Sequence, residues 1–368
     1  MENYSHFGLL GPMGEAARTD WMRKRMEESR RSAREVAGDS GSVFLAGAPV
    51  AGLGSPRSDI DLFVVSDSIT AASSRQIGRN GARFDVEFIR SSEFYSLVQQ
   101  ACSFDVCASD ASQLGRMPRA RLDLVTRFLL SEIVVDEDGR LAQLHAELVA
   151  NRESFDHLSI ARHAQDVQNM SEDVAGALLN GDIMSAVHQS RQMVLRGAEA
   201  YLASKGDPYL GEKWVFAKWR RTVATPAANL LHLLQGIPSR TPDESHRAVL
   251  EQCWVSQDLT VMAATGYSYD PISSPKDVVR GPHWSVLPWR DGLLVTQREG
   301  QGVALSREGL LLWAVAHGRS KGEAIKLARS LYVAKGVIAT VSEVARYYDG
   351  ILSAGLICNI SDQPDSAH

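Results

Sequence analysis

Residues 42–65 read SVFLAGAPVAGLGSPRSDIDLFVV, and this stretch decides the fold. Val43, Phe44 and Leu45 form an apolar run of strand character that ends at Gly47. A segment rich in Gly, Pro and Ser follows, and a second, β-branched strand opens with Asp59 and Asp61. Side chains alternate along a strand, so Asp59 and Asp61 are expected on one face and Ile60 and Leu62 on the other. Two carboxylates held that close repel each other unless a cation lies between them. Mg²⁺ is the natural candidate, being small and hard and usually held by one or two carboxylates together with substrate phosphates.

A third acid is then expected from a neighbouring strand. ARFDVEFIR, residues 82–90, supplies it: Arg83, Asp85, Glu87 and Ile89 share one face, and Phe84, Val86 and Phe88 the other. Acids opposite an apolar face are what a half-buried strand lining a metal site needs.

A strand, a glycine turn, a short insert, Ser58-Asp59-Ile60-Asp61 and a later acidic strand together resemble the polymerase-β-type nucleotidyltransferase superfamily, in its small-molecule (antibiotic) branch. The pattern there is Gly-Ser, about ten residues, then Asp-x-Asp. Gly47 fits it, whereas Ala48 stands where the family has the serine whose hydroxyl touches nucleotide phosphates. The missing donor is worth about 1–3 kcal/mol in a charge-assisted contact. Ser55 and Ser58 are the hydroxyls available to replace it.

The resemblance implies a transferase that moves a nucleoside monophosphate, most simply AMP, from an NTP to a hydroxyl or phosphate of a small natural product or peptide, releasing pyrophosphate. Asp59 and Asp61 would hold two Mg²⁺ ions about 3.5–4 Å apart. Asp85, or Glu87 on the same face, would complete the metal set or act as base. Gly47 would let the backbone approach the phosphates, beside Ala48 and Ser58. The alternative is a catalytically lapsed relative that acts as a peptide-binding or regulatory protein.

With 368 residues, 44% hydrophobic and 23% charged, the chain has globular composition and room for two or three cores. A net charge of −5 argues against a sequence-independent nucleic-acid binder, which needs a broad basic surface. Cys102, Cys107, Cys253 and Cys358 form no CxxC pair, so neither a zinc knuckle nor a redox motif is supported. No apolar run approaches the length of a membrane span, and a reducing cytoplasm is the expected location.

The fold class expected is α+β, with a small mixed-sheet nucleotidyltransferase domain over 1–150, a helical-bundle domain over 151–268 and a winged-helix domain over 280–360. A charged helix is expected over 14–37 and a capped helix over 91–100, SSEFYSLVQQ. Beyond it, Leu124, Phe128, Leu129 and Ile133 recur at helical spacing, with Asp136 to Gly139 as the turn. Two helices follow, ended by Asn180-Gly181 and by Gly206, the second with a core stripe of Val187, Val194, Ala198, Tyr201 and Leu202. Short connections make such helices antiparallel neighbours. His163 and His188 read as structural residues on these helices, with an acceptor-side base as the alternative for either.

GEKWVFAKWRR, residues 211–221, gathers Lys213, Lys218, Arg220 and Arg221 around two tryptophans. A cationic segment would neutralise a triphosphate, and the family's lysine near a tryptophan points to Lys213. After the Pro- and Ser-rich stretch 269–284, WSVLPWRDGLLVTQREGQGVALS reads as short hairpin strands, and three helices follow. Ser320 with Glu323, and Thr340 with Glu343, have capping-box spacing. This region, with LSREGLLLWAVAHGRSKGEA and ILSAGLI, resembles the winged-helix pyrroloquinoline-quinone peptide chaperone, which implies a leader-peptide partner added at a sheet edge.

Overall fold

The computed structural model describes residues 15–37, 41–55, 58–79, 82–105, 112–223, 241–271, 275, 277–281, 283–289, 292–296 and 302–360. The fold class is α+β. The chain divides into two compact units, Met1–Cys102 with Asp123–Arg152, and Ser103–Leu122 with Glu153–His368.

The first unit is built on strands β1 (Ser42–Ala46), β2 (Ile60–Ser66), β3 (Ser73–Arg79), β4 (Ala82–Arg90) and β5 (Glu132–Val135), ordered β3-β4-β2-β1-β5. β2 and β4 are parallel, and the other neighbours are antiparallel. Alternation gives β1 and β2 apolar residues on both faces. On one, Val43, Leu45, Ile60, Leu62, Val64, Phe84 and Val86 pack with Ala33 and Met26 of the helix Glu15–Ala37. On the other, Phe44 stacks on its register partner Phe63 at 4.7 Å, and Phe94 and Phe128 close over Phe44 at 5.5 and 5.0 Å. Phe94 comes from the helix Ser91–Cys102 and Phe128 from the helix Arg119–Leu129. The aromatic cluster thus fixes where the last turns of the helix Arg119–Leu129 lie over the sheet.

The helical reading of the segment after Leu129 is corrected. Ile133 lies in β5, which pairs antiparallel with β1. EIVV is half-buried edge-strand sequence with two adjacent valines, and pairing along β1 outweighs the helical spacing of Ile133 with Leu129. The expected turn is present: Gly139 takes φ 71°, and Asp136 accepts from the Leu141 and Ala142 amides at the start of the helix Arg140–Ala150.

In the second unit the helices Arg152–Leu179 and Ile183–Ser204 end before glycines at φ 71° and 86°, Gly181 and Gly206. The helix Ile183–Ser204 lies so close to the helix Pro242–Thr265 that a Cβ on Gly197 would come 3.0 Å from the Ser256 carbonyl. Three antiparallel strands, Ser285–Trp289, Gly292–Thr296 and Gly302–Leu305, precede the helices Arg307–Ala316, Lys321–Ala334 and Val341–Ser353. Both capping boxes form, at Ser320 and Thr340. The residues expected to turn the hairpins, Asp291, Glu299 and Gly300, lie outside the described residues.

Three domains were expected over 1–150, 151–268 and 280–360, and the chain forms two units. Val261 and Tyr267 share one core with Val278, Trp284, Val286 and Leu310 to Ala316, so residues before and after 268 are packed together. A buried ion pair reinforces the join: Arg280 donates to Asp258 at 2.7 Å, Tyr269 donates to the same carboxylate oxygen, and Arg280 lies 4.8 Å over the Trp313 ring.

Removing one member of a buried pair strands the other's charge. Asp258→Ala is expected to cost about 3–5 kcal/mol of unfolding free energy, and the double change Asp258→Leu with Arg280→Met far less. Urea unfolding midpoints measure both.

Candidate active site

Asp61 and Asp85 are register partners across the parallel β2–β4 pair, and Phe63 and Glu87 are partners one pleat further on. The three acids therefore share the sheet face that carries the aromatic cluster. Gly47 ends β1 at φ 96°, and a Cβ built there would sit 2.5 Å from Asp61 Oδ2. A side chain at this position would strain the backbone and push the Asp61 carboxylate aside. The turn continues as a tight coil, with Ala51 donating to the Gly47 carbonyl and Leu53 to the Ala48 carbonyl, and Ala48 is buried. Ser58 and Ser55 are engaged with each other: the Ser55 amide donates to Ser58 Oγ at 2.8 Å, and the two hydroxyls are 3.1 Å apart.

The helix Arg119–Leu129 adds a residue that the sequence reading did not single out. Arg127 Nη1 pairs with Asp61 Oδ2, while its Nε donates to Asp123 Oδ2 at 2.7 Å, one helical turn back. Burial pushes the Asp61 carboxyl up, Arg127 opposes it, and the nearby charges of Asp85 and Asp123 add to the rise. Glu87 is likewise raised, first by burial, with Arg127 again opposing.

Of the acids Asp59, Asp61 and Asp85 expected to converge, the pairing of β2 with β4 brings together Asp61 and Asp85. β2 begins at Ile60, so Asp59 stands before the strand and alternation does not assign it a face. Among the described residues no three His, Cys, Asp or Glu side chains gather closely enough to hold a metal ion. What does fit a cation is the pair Asp61 and Asp85. Asp85 Oδ1 is buried with no hydrogen-bond partner, an acceptor whose need is not met by protein.

Lys213 lies in the second unit, exposed on the single 3₁₀ turn Glu212–Trp214, with Nζ 5.3 Å from the Trp214 ring centroid. The basic run around it is not a cationic face. Lys218 is fully buried and donates to the Tyr209 carbonyl, and Arg221 holds Asp207 through two 2.7 Å contacts. Apolar neighbours on the helix Val215–Thr222 turn Lys218 inward, so a count of charges along the sequence misreads the segment.

Lys218 belongs to a buried charge cluster that sequence spacing gave no sign of. Glu199, 1% exposed, accepts from Arg119 and Arg196, each at 2.9 Å, and from the Gly211 amide. Burial alone would raise its carboxyl, but His163, Arg119, Lys218 and Arg196 together hold it well below the usual carboxylate range. Burial also pushes the His163 imidazole down to about 4, against a weaker upward pull from Glu199. His163 is thus a neutral core residue, and His188 is exposed on its helix.

No known family model matches the sequence, and no curated protein is similar to it. Among solved structures, a nucleotidyltransferase-like protein from Exiguobacterium sibiricum is similar in part. It is 13% identical, with 65% of this chain and 76% of that chain covered, at a TM-score of 0.37. Likeness at that level carries no weight for function.

Gly47→Ala is expected to force the Asp61 carboxylate aside and to strain the turn, costing about 1–3 kcal/mol in stability. Thermal unfolding measures the cost. His163 makes a second prediction. Its folded value of about 4 lies below the ordinary 6.5, so the unfolded chain binds more protons between those values. Stability therefore falls as pH falls from 6.5 towards 4, by about 3 kcal/mol over the window. His163→Gln removes that part of the slope in urea unfolding measured across pH.

Proposed function

We propose that this chain is a nucleotidyltransferase that moves a nucleoside monophosphate from an NTP, most simply ATP, to a hydroxyl or phosphate of a small natural product or peptide. The single observation that carries the reading is the seating of the Asp61 carboxylate against a side-chain-free turn at Gly47, with Asp85 beside it in register. A backbone bend without a Cβ next to paired acids is where a polyphosphate and its counter-cation can both approach.

In this reading Asp61 and Asp85 hold Mg²⁺, which when bound screens the triphosphate and lowers the pKa of the attacking oxygen. The chain's own groups do the rest. Gly47 and the turn after it give the nucleotide room, and they orient it through backbone amides. Glu87, one pleat along from Asp85 on the same face and with its carboxyl raised by burial, is the group assigned to accept the acceptor's proton. Asp59 and Ser58, immediately before β2, are assigned to the same nucleotide side.

The peptide form of the acceptor has its own support in the second unit. Strand Gly302–Leu305 is at the edge of its sheet, beside an apolar cavity of about 190 Å³ lined by Val303, Leu305, Tyr347, Ile351 and Leu356. A peptide strand added there would bury alternate side chains in that cavity. Strands followed by three helices are the winged-helix plan, and a leader peptide is the partner we assign to it.

A second reading is a lapsed relative that binds without turnover. Arg127 on Asp61 and the hydroxyl lost at Ala48 favour it.

Asp61→Asn and Asp85→Asn are each expected to abolish Mg²⁺-dependent pyrophosphate release, and unchanged turnover in either contradicts the mechanism. Calorimetric titration with ATP and Mg²⁺ separates the second reading, for which no metal-dependent nucleotide affinity is expected. Tyr347→Ala is expected to raise KM for a leader-bearing peptide about tenfold while sparing pyrophosphate exchange on a generic acceptor. An unaltered KM removes the peptide.

A further inference from the structure

Among the described residues, Arg127 is a cation that meets the acidic face of the first unit, and its setting is specific. Asp123, four residues back on the same helix, takes the Nε at 2.7 Å and aims the rest of the guanidinium at the sheet. Phe128, the next residue, is fully buried against Phe44 and Phe94, so the helix turn that carries Arg127 is pinned. The Arg127 and Asp61 side chains keep 24% and 19% of their surface exposed, so their ion pair is not sealed in a core and can open without unfolding. Asp61 Oδ2, the atom Arg127 holds, is also the atom that a side chain at Gly47 would strike. The guanidinium therefore lies beside the turn that starts at Gly47 and Ala48.

Two chemical facts bear on that placement. A guanidinium and a divalent cation satisfy the same carboxylate, so they compete for it. A guanidinium released from a carboxylate finds its best geometric match in a phosphate, which it grips with parallel N–H donors. Ala48 has no side-chain donor to offer a phosphate, and Ser55 and Ser58 engage each other through their hydroxyls.

We propose that Arg127 is a nucleotide-phosphate ligand, and that it rests on Asp61 until a divalent cation takes that carboxylate. The inference rests on the nucleotidyltransferase reading and adds to it a residue, a role and an order of events. Arg127 neutralises Asp61 in the metal-free protein, and on metal binding the guanidinium moves from a carboxylate to the triphosphate. No bond is made or broken in the exchange.

The test uses the full chain with Mn²⁺ as the probe, followed by the spin-resonance signal of the free ion. A non-hydrolysable α,β-methylene ATP analogue is then titrated by calorimetry at saturating Mn²⁺. Arg127→Gln removes the competitor, so Mn²⁺ alone is expected to bind about tenfold more tightly than in the wild type. The same variant is expected to bind the analogue about tenfold more weakly, having lost a charge-assisted phosphate contact. A residue that merely braced the fold would weaken both. Arg127→Lys keeps the charge without the fork, so it is expected to match the wild type for Mn²⁺ and to fall between the two for the analogue. It decides the matter if the glutamine variant does not fold.

Mn²⁺ affinity that is unchanged or weaker in Arg127→Gln overturns the inference, and so does unchanged affinity for the analogue. If the wild type binds Mn²⁺ and the analogue in either of those cases, the nucleotidyltransferase reading stands and the assignment of Arg127 alone falls. If the wild type binds neither, both fall together.

Discussion

The parallel pairing of β2 with β4 is the constraint on which the site depends. Its register sets Asp61 beside Asp85 and Phe63 beside Glu87, so one pleated face carries acids at the end where β2 begins and aromatic packing beyond it. A slip of one residue would send Asp61 to the face where Ile60, Leu62 and Val64 meet the first helix, burying a carboxylate among apolar groups. The two apolar surfaces thus enforce the register, and the register delivers the acids. Gly47 completes the arrangement, because β1 ends beside Asp61 and a residue without a Cβ leaves that carboxylate in place without backbone strain.

The second unit handles charge differently. Several of its ionic groups are withdrawn from water: Glu199 sits among Arg119, Arg196 and His163, Lys218 is turned inward, and Asp258 meets Arg280 in the core shared by the long helix and the C-terminal segment. Such clusters are poor sources of net stability, since desolvation consumes much of the attraction. Their geometry is directional, however, and it fixes how the helices register against one another. That the residues on either side of position 268 share one hydrophobic core makes the C-terminal strands and helices part of the helical unit's architecture.

The sequence made legible whatever depends on local spacing. The strand, glycine turn and acidic strand order, the glycine-ended helices, the core stripe from Val187 to Leu202 and both capping boxes follow from periodicity and cap chemistry alone. The strand Glu132–Val135 was hidden because four residues of β-branched sequence at a sheet edge carry little periodic signal, and the preceding helix supplied a competing one. Asp59 immediately precedes the first strand residue, Ile60, so strand alternation by itself does not place its side chain. Arg127 and the Glu199 cluster were out of reach, since their partners lie 66 and 80 residues away in the chain and no local pattern links them. Lys213 and Lys218 show the opposite failure, a local run of like charges whose members have unlike burial.

The central claim is that the acid pair on β2 and β4 receives a divalent cation beside the Gly47 turn. A crystal of the full chain grown with Mn²⁺ and a non-hydrolysable ATP analogue, with data collected at the manganese edge, tests it most directly. The predicted result is an anomalous peak bridging the Asp61 and Asp85 carboxylates with the triphosphate against the turn. An anomalous map without density between those carboxylates, or with Arg127 still on Asp61 and the nucleotide elsewhere, would contradict it.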